Sequence, residues 1–133
     1  MTIASRFAVM LAGIITSIVT ARLLGPEGRG LYFYAVTLAG FVTQFGNLGF
    51  PSANTYIVAR ERDKLRALTI NSLWLSGLVF VAGAGILVSV AGQLDVPIAV
   101  LLLAAALGAS NLLFMLMSNL LVGLQRIAQF NIF

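Results

Sequence analysis

The sequence predicts an all-α, polytopic membrane protein, and three observations predict it. Hydrophobic residues make up 60% of the chain and charged residues 9%, with a mean hydropathy of +1.03, whereas about a quarter of a globular chain is charged. The apolar residues fall in four long runs, and the charges collect between or at the ends of those runs. Lipid is therefore the solvent for most of this chain. A backbone in lipid must pair its N–H and C=O groups within the segment, so long apolar runs mean helices. The alternating pattern of a membrane barrel strand is absent.

The first run, residues 7–24, is only just long enough to span, since a helix needs about 20 residues to cross the hydrocarbon core. Arg6, the apolar stretch 7–19 and then Val19-Thr20-Ala21 also fit a cleavable signal peptide. Three further runs make an uncleaved first helix the simpler account. Next comes GPEGRG (25–30), which reads as a tight turn. Gly25 suits a helix C-terminal cap, Pro26 the first turn position, and Gly28 and Gly30 left-handed backbone. Glu27 is placed to pair with Arg22 or Arg29.

The second run, 31–58, predicts one long helix broken near 46–52, where Gly46, Gly49 and Pro51 fall together. In lipid such a break is tolerated where the freed backbone faces protein or a water-filled cavity. Gln44, Asn47 and Asn54 lie around it. Discontinuous helices are common where transporters bind cargo, which makes Asn47 and Asn54 candidates for a substrate path; a kink that serves packing fits equally well. After the loop RERDKLR (60–66), the third run (67–91) carries Ser72 and Ser76 with Gly77, Gly83 and Gly85. The fourth (97–124) carries the pairs Ala104/Gly108, Ala105/Ala109 and Ala106/Ser110, a spacing that lets helix backbones approach closely. Asn111, Ser118 and Gln125 recur every seven residues and share a face. That stripe should point into the bundle. Bonding between helices is favoured for it, with Asn111 and Ser118 kept as substrate-path candidates.

Charge sets orientation. With a cytoplasmic N-terminus, Arg6, Arg60, Arg62, Lys64, Arg66 and Arg126 are inside and Arg22 and Arg29 outside, so the positive-inside rule places both termini in the cytoplasm. Scattered basic residues make no stripe for nucleic acid. With no Cys and no His, disulfides and most transition-metal sites are excluded, and no cofactor is expected. The four acids, Glu27, Glu61, Asp63 and Asp95, lie in loops or at helix ends, so no spanning carboxylate couples protons. No nucleophile has a base beside it, and an enzyme is not expected. Arg22 and Arg29 could bind phosphate oxygens through their planar N–H groups. The neighbours of Arg22 on helix one are Val19, Ile18, Ile15 and Leu11, which favours snorkelling to lipid headgroups instead.

The run TARLLGPEGRGLYFYAVTLAGFVTQFGNLGFPSANTYIVAR (20–60) resembles the N-terminal region of bacterial polysaccharide exporters of the O-antigen flippase type. The likeness is carried by residues 21–30, by Phe45-Gly46-Asn47-Leu48-Gly49-Phe50 and by Asn54-Thr55, with Gly123-Leu124-Gln125-Arg126 also similar. These exporters share a superfamily with multidrug and toxin extrusion transporters and the lipid II flippase. The resemblance implies a plasma-membrane flippase that moves an undecaprenyl-pyrophosphate-linked oligosaccharide to the outer leaflet. It also implies twelve or more helices in two lobes, so residues 1–133, as a single membrane domain, would form part of one lobe. On that reading the chain stops before a fifth helix, and its partners are the bilayer, the anionic lipid-linked oligosaccharide and the remaining helices of the parent transporter. Two rivals differ in kind. A small four-helix multidrug exporter acting as a dimer needs a glutamate in its first helix, and 7–24 has none. A non-transporting scaffold subunit needs neither a broken helix nor a polar stripe.

Overall fold

The computed structural model describes residues 3–93 and 96–130, and among them every element is helical. The order is α1 (Ile3–Asn47), α2 (Phe50–Arg60), a short turn of 3-10 helix (Arg62–Lys64), α3 (Leu65–Ser89), a second such turn (Ala91–Gln93) and α4 (Ile98–Phe130). The chain divides into two compact units at residues 34 and 35.

The first unit holds the start of α1. Its described large apolar side chains between residues 7 and 24 are all at least 45% exposed, so this stretch buries nothing against itself and suits a hydrocarbon solvent. The hydroxyls of Thr16 and Thr20 donate to Ala12 O and Thr16 O, each at 2.8 Å. Their polar groups are thus satisfied inside the helix, as lipid requires. The GPEGRG turn needs correcting. Only Gly25 leaves helical geometry (φ 64°, ψ −176°), a conformation open essentially to glycine. Pro26 begins the resumed helix, where its missing N–H is no loss, and Glu27 lies in the first turn, favoured by the helix dipole. Gly28 and Gly30 are helical rather than left-handed. Helix resumes at 26, not 31. Arg29 stands over the Phe33 ring at 5.5 Å to the centroid.

The second unit is a bundle centred on α4. The buried residues of α4, Leu101, Ala104, Ala105, Gly108, Ala109, Leu112, Leu116, Leu120 and Gly123, recur every three or four positions and form one seam. Small residues on that seam set how near its neighbours come. A Cβ on Gly108 would lie 2.7 Å from Ala39 O, and one on Gly123 would lie 2.8 Å from Thr55 O and against Val58. Residues 35–47 therefore cross α4 at Gly108, and α2 crosses it at Gly123. Alpha-3 joins at Ser76, whose hydroxyl donates to Ala109 O at 2.8 Å. Of the three small-residue pairs, Ala104/Gly108 and Ala105/Ala109 are buried, while Ser110 is exposed. Val58, Leu68 and Leu120 close the other end of the bundle.

By length and composition, the described residues contain two helices able to cross a membrane, at 62–93 and 98–124, or three if the two parts of α1 make one bent span. The sequence reading counted four. The difference lies in runs 7–24 and 31–58: the two parts of α1, 10–20 and 22–47, pass only as a pair, and the rest of the second run is an 11-residue α2 rich in polar side chains.

Candidate functional site

The chain breaks between α1 and α2 at two residues. Leu48 has φ 43° and Gly49 has φ 80°. Glycine adopts the left-handed region freely, but leucine does so only under constraint. Gly49 then caps α2, accepting from Ala53 N–H at 3.2 Å, and Pro51 sits in the first turn. Ahead of the break, Gly46 is wedged against α3 and α4, since a Cβ there would meet Val79 at 2.7 Å and Leu112 at 3.0 Å. That close approach fixes where α1 ends. It also leaves Asn47 with its Oδ1 buried and without a hydrogen-bond partner among the described residues. An acceptor in that state costs about 1–3 kcal/mol.

The other candidates scatter. Asn54 is buried and donates to Ser72 Oγ at 3.0 Å, tying α2 to α3. Asn111 is exposed and Ser118 half-buried. The expectation that this stripe faces the bundle is thus corrected at Asn111: the small residues of α4 claim the packed seam, and Asn111 is left outside it. The Gln125 side chain lies outside the described residues. Arg22 and Arg29 belong to the first unit and are exposed.

A polar groove that the sequence reading missed lies between α2 and α4. It has a volume of about 460 Å³ and is lined by Ser52, Thr55, Tyr56, Ala59, Asn119 and Val122. Thr55 Oγ1 stands 3.1 Å from Pro51 O, Asn119 O and Asn119 Oδ1, and its single proton serves one of them at a time. Asn119 Nδ2 donates to Met115 O at 2.8 Å. Arg60 places its guanidinium 5.1 Å from the Tyr56 ring centroid and donates from Nη1 to the Tyr56 hydroxyl. The signal was present in the spacing Ser52, Tyr56, Arg60, one helical face read every fourth residue. The wall of α1 and α3 is the contrast: Leu38, Phe41, Phe45, Leu75, Leu78 and Ile86 line an apolar groove of about 450 Å³.

Among the described residues, no group of three or more acidic, histidine or cysteine side chains could hold a metal. Polar groups at membrane depth persist where they face protein or water rather than lipid. The break with its unpaired acceptor and the hydroxyl- and amide-lined groove are separate features of the bundle, since Asn47 is not among the residues that line the groove. No curated protein and no solved structure matches the chain. Residues 1–132 match the family described as polysaccharide biosynthesis proteins, and the chain belongs to that family, the one toward which the run 20–60 pointed.

Proposed function

We propose that this chain is part of a multi-pass plasma-membrane flippase that moves an undecaprenyl-pyrophosphate-linked oligosaccharide between leaflets, and that it binds and reorients that cargo without bond chemistry. The observation that carries the reading is the break at Leu48–Gly49 with the unpaired Asn47 Oδ1 beside it. A bundle selected only for packing would close that break with apolar side chains, because a buried unpaired acceptor is a net loss. The family supplies the biosynthetic setting. Both termini are assigned to the cytoplasm by the distribution of the eight basic residues.

The test is complementation of a bacterial strain lacking its own flippase, with the full-length coding sequence, scoring surface polysaccharide at matched membrane levels. Asn47→Ala lowers export and leaves lipid-linked oligosaccharide in the inner leaflet. Arg22→Lys, which retains the charge needed for snorkelling, leaves export near normal. Loss of export in Arg22→Lys with normal export in Asn47→Ala overturns the assignment of the path to the helix break.

A further inference from the structure

The apolar groove between the end of α1 and α3 lies wholly within the second unit, and no described side chain fills it. Every residue that lines it is aliphatic, phenylalanine or glycine, and its volume is about 450 Å³. One wall runs from Leu38 to Leu48, a ten-residue step of about 15 Å at 1.5 Å per residue. The two walls are antiparallel, because Gly83 faces Val42 and Gly46 faces Val79. Leu48 therefore falls opposite the region of Leu75, near the middle of the candidate span 62–93. Leu38 falls opposite Ile86 and Leu87, near the C-terminal end of that span. The groove thus runs from mid-membrane to one face, which is half of a hydrocarbon core about 30 Å thick. That is the depth of one leaflet.

Size selects the occupant. A helix is 10–12 Å across, so over that length it takes more than about 1,000 Å³, and the groove would seat only its edge. A single acyl chain is as long as a leaflet is deep and slender enough to lie inside. An empty groove would forfeit the dispersion contacts of its walls. Leu48 supplies a second, independent observation. Its φ of 43° is unfavourable for leucine, yet its side chain is 76% exposed at the mid-membrane end of the groove. Packing within the protein therefore does little to hold it there. We propose that the groove binds one acyl chain of a bilayer phospholipid, whose methyl end packs on Leu48 and stabilises the helix break. The headgroup of that lipid lies at the C-terminal end of α3. The proposal needs no cargo, so it stands or falls apart from the flippase reading.

Binding is measured on the full-length protein in detergent by native mass spectrometry, with dipalmitoyl phosphatidylcholine, dioctanoyl phosphatidylcholine and undecaprenyl phosphate as probes. Wild type holds one dipalmitoyl lipid. It holds the dioctanoyl lipid about fivefold more weakly, because the shorter chains stop before Leu48 and leave part of the groove unfilled. Leu78→Asn, which places an amide on the groove wall, weakens dipalmitoyl binding about fivefold. Leu73→Asn places the same amide at an exposed position of α3 outside the groove and changes binding less than about twofold. If Leu78→Asn misfolds, Ala82→Phe fills the groove from an exposed lining position and gives the same loss. Bound dipalmitoyl lipid also slows hydrogen exchange over residues 49–53 about fivefold, the lower end of what one left-handed leucine costs. In Leu48→Gly, where glycine adopts that backbone freely, the lipid changes this exchange less than about twofold. Equal losses in Leu78→Asn and Leu73→Asn reduce binding to the general lipid annulus and overturn the site. Wild type that retains no phospholipid has its groove covered by protein, which overturns the site as well. Tighter binding of undecaprenyl phosphate than of the dipalmitoyl lipid overturns the choice of occupant. Lipid that binds wild type without slowing exchange overturns the link to the helix break.

Discussion

At the scale of residues, Asn47 and Asn54 separate although the sequence treats them alike. Asn54 is 5% exposed and bonded to Ser72, so its truncation leaves a buried hydroxyl alone. A double-mutant cycle of Asn54→Ala with Ser72→Ala should give a coupling of about 0.6–1.7 kcal/mol, the range for such bonds between membrane helices. Asn47 Oδ1 has no hydrogen bond to lose among the described residues. Asn47→Leu should leave the thermal midpoint unchanged or raise it, since an unpaired acceptor is replaced by an apolar side chain, and should lower export in the complementation assay. A lowered midpoint together with normal export would make Asn47 a packing residue. A paired Asn47→Ala and Asn54→Ala variant is a poor probe of transport, because the Asn54 half of it loosens the α2–α3 contact.

At the scale of elements, two single-residue conformations decide where helices begin. Gly25 and Gly49 both have positive φ and open space around them, so a methyl group would clash with nothing and strain would be purely conformational. Gly49→Ala should cost about 1–2 kcal/mol, the penalty for an L-residue in left-handed geometry, read as a fall in thermal midpoint. Gly108 and Gly123 are the opposite case: their φ is ordinary, and neighbouring backbone fills the space a side chain would need. Gly123→Val should therefore separate α2 from α4 and destabilise by about 1–3 kcal/mol or more, an overpacking cost. It should also increase hydrogen exchange in α2. Four of the five small residues at the α4 seam, Ala104, Ala105, Gly108 and Ala109, were legible from spacing, and Gly123 was not. Which of the two faces carrying small and polar residues would be packed was not, because seven-residue recurrence marks a shared face without saying what covers it.

For the whole molecule, orientation is the property with the most direct test. The basic count predicts a reporter after Lys64 to score inside. A reporter at Gly30 would interrupt a helix, since helix resumes at Pro26; one placed after Gly25, at the non-helical residue, should score outside. The reverse pattern would invert the topology. The apolar groove along residues 38–48 and α3 and the polar groove between α2 and α4 differ in chemistry at similar volume. The bundle thus has distinct surfaces for hydrocarbon and for polar groups.

The class of protein was settled by sequence, because hydropathy is a sum over residues and lipid admits only backbone that pairs itself. A break near 46–52 was likewise visible in Gly46, Gly49 and Pro51, whose backbone limits are local. The family was legible from the run 20–60. Three things were decided only by tertiary structure. GPEGRG is one glycine of irregular backbone followed by helix, since proline at the first position starts a helix as readily as it turns a chain. Asn54 became a structural bond when α2 was laid against Ser72. Thr55 and Asn119, far apart in sequence, became two walls of one groove only because Gly123 lets α2 approach α4 closely. Local propensity fixes what a residue can do; which polar groups are satisfied, and which are left to meet a ligand, depends on what packing brings within hydrogen-bonding distance.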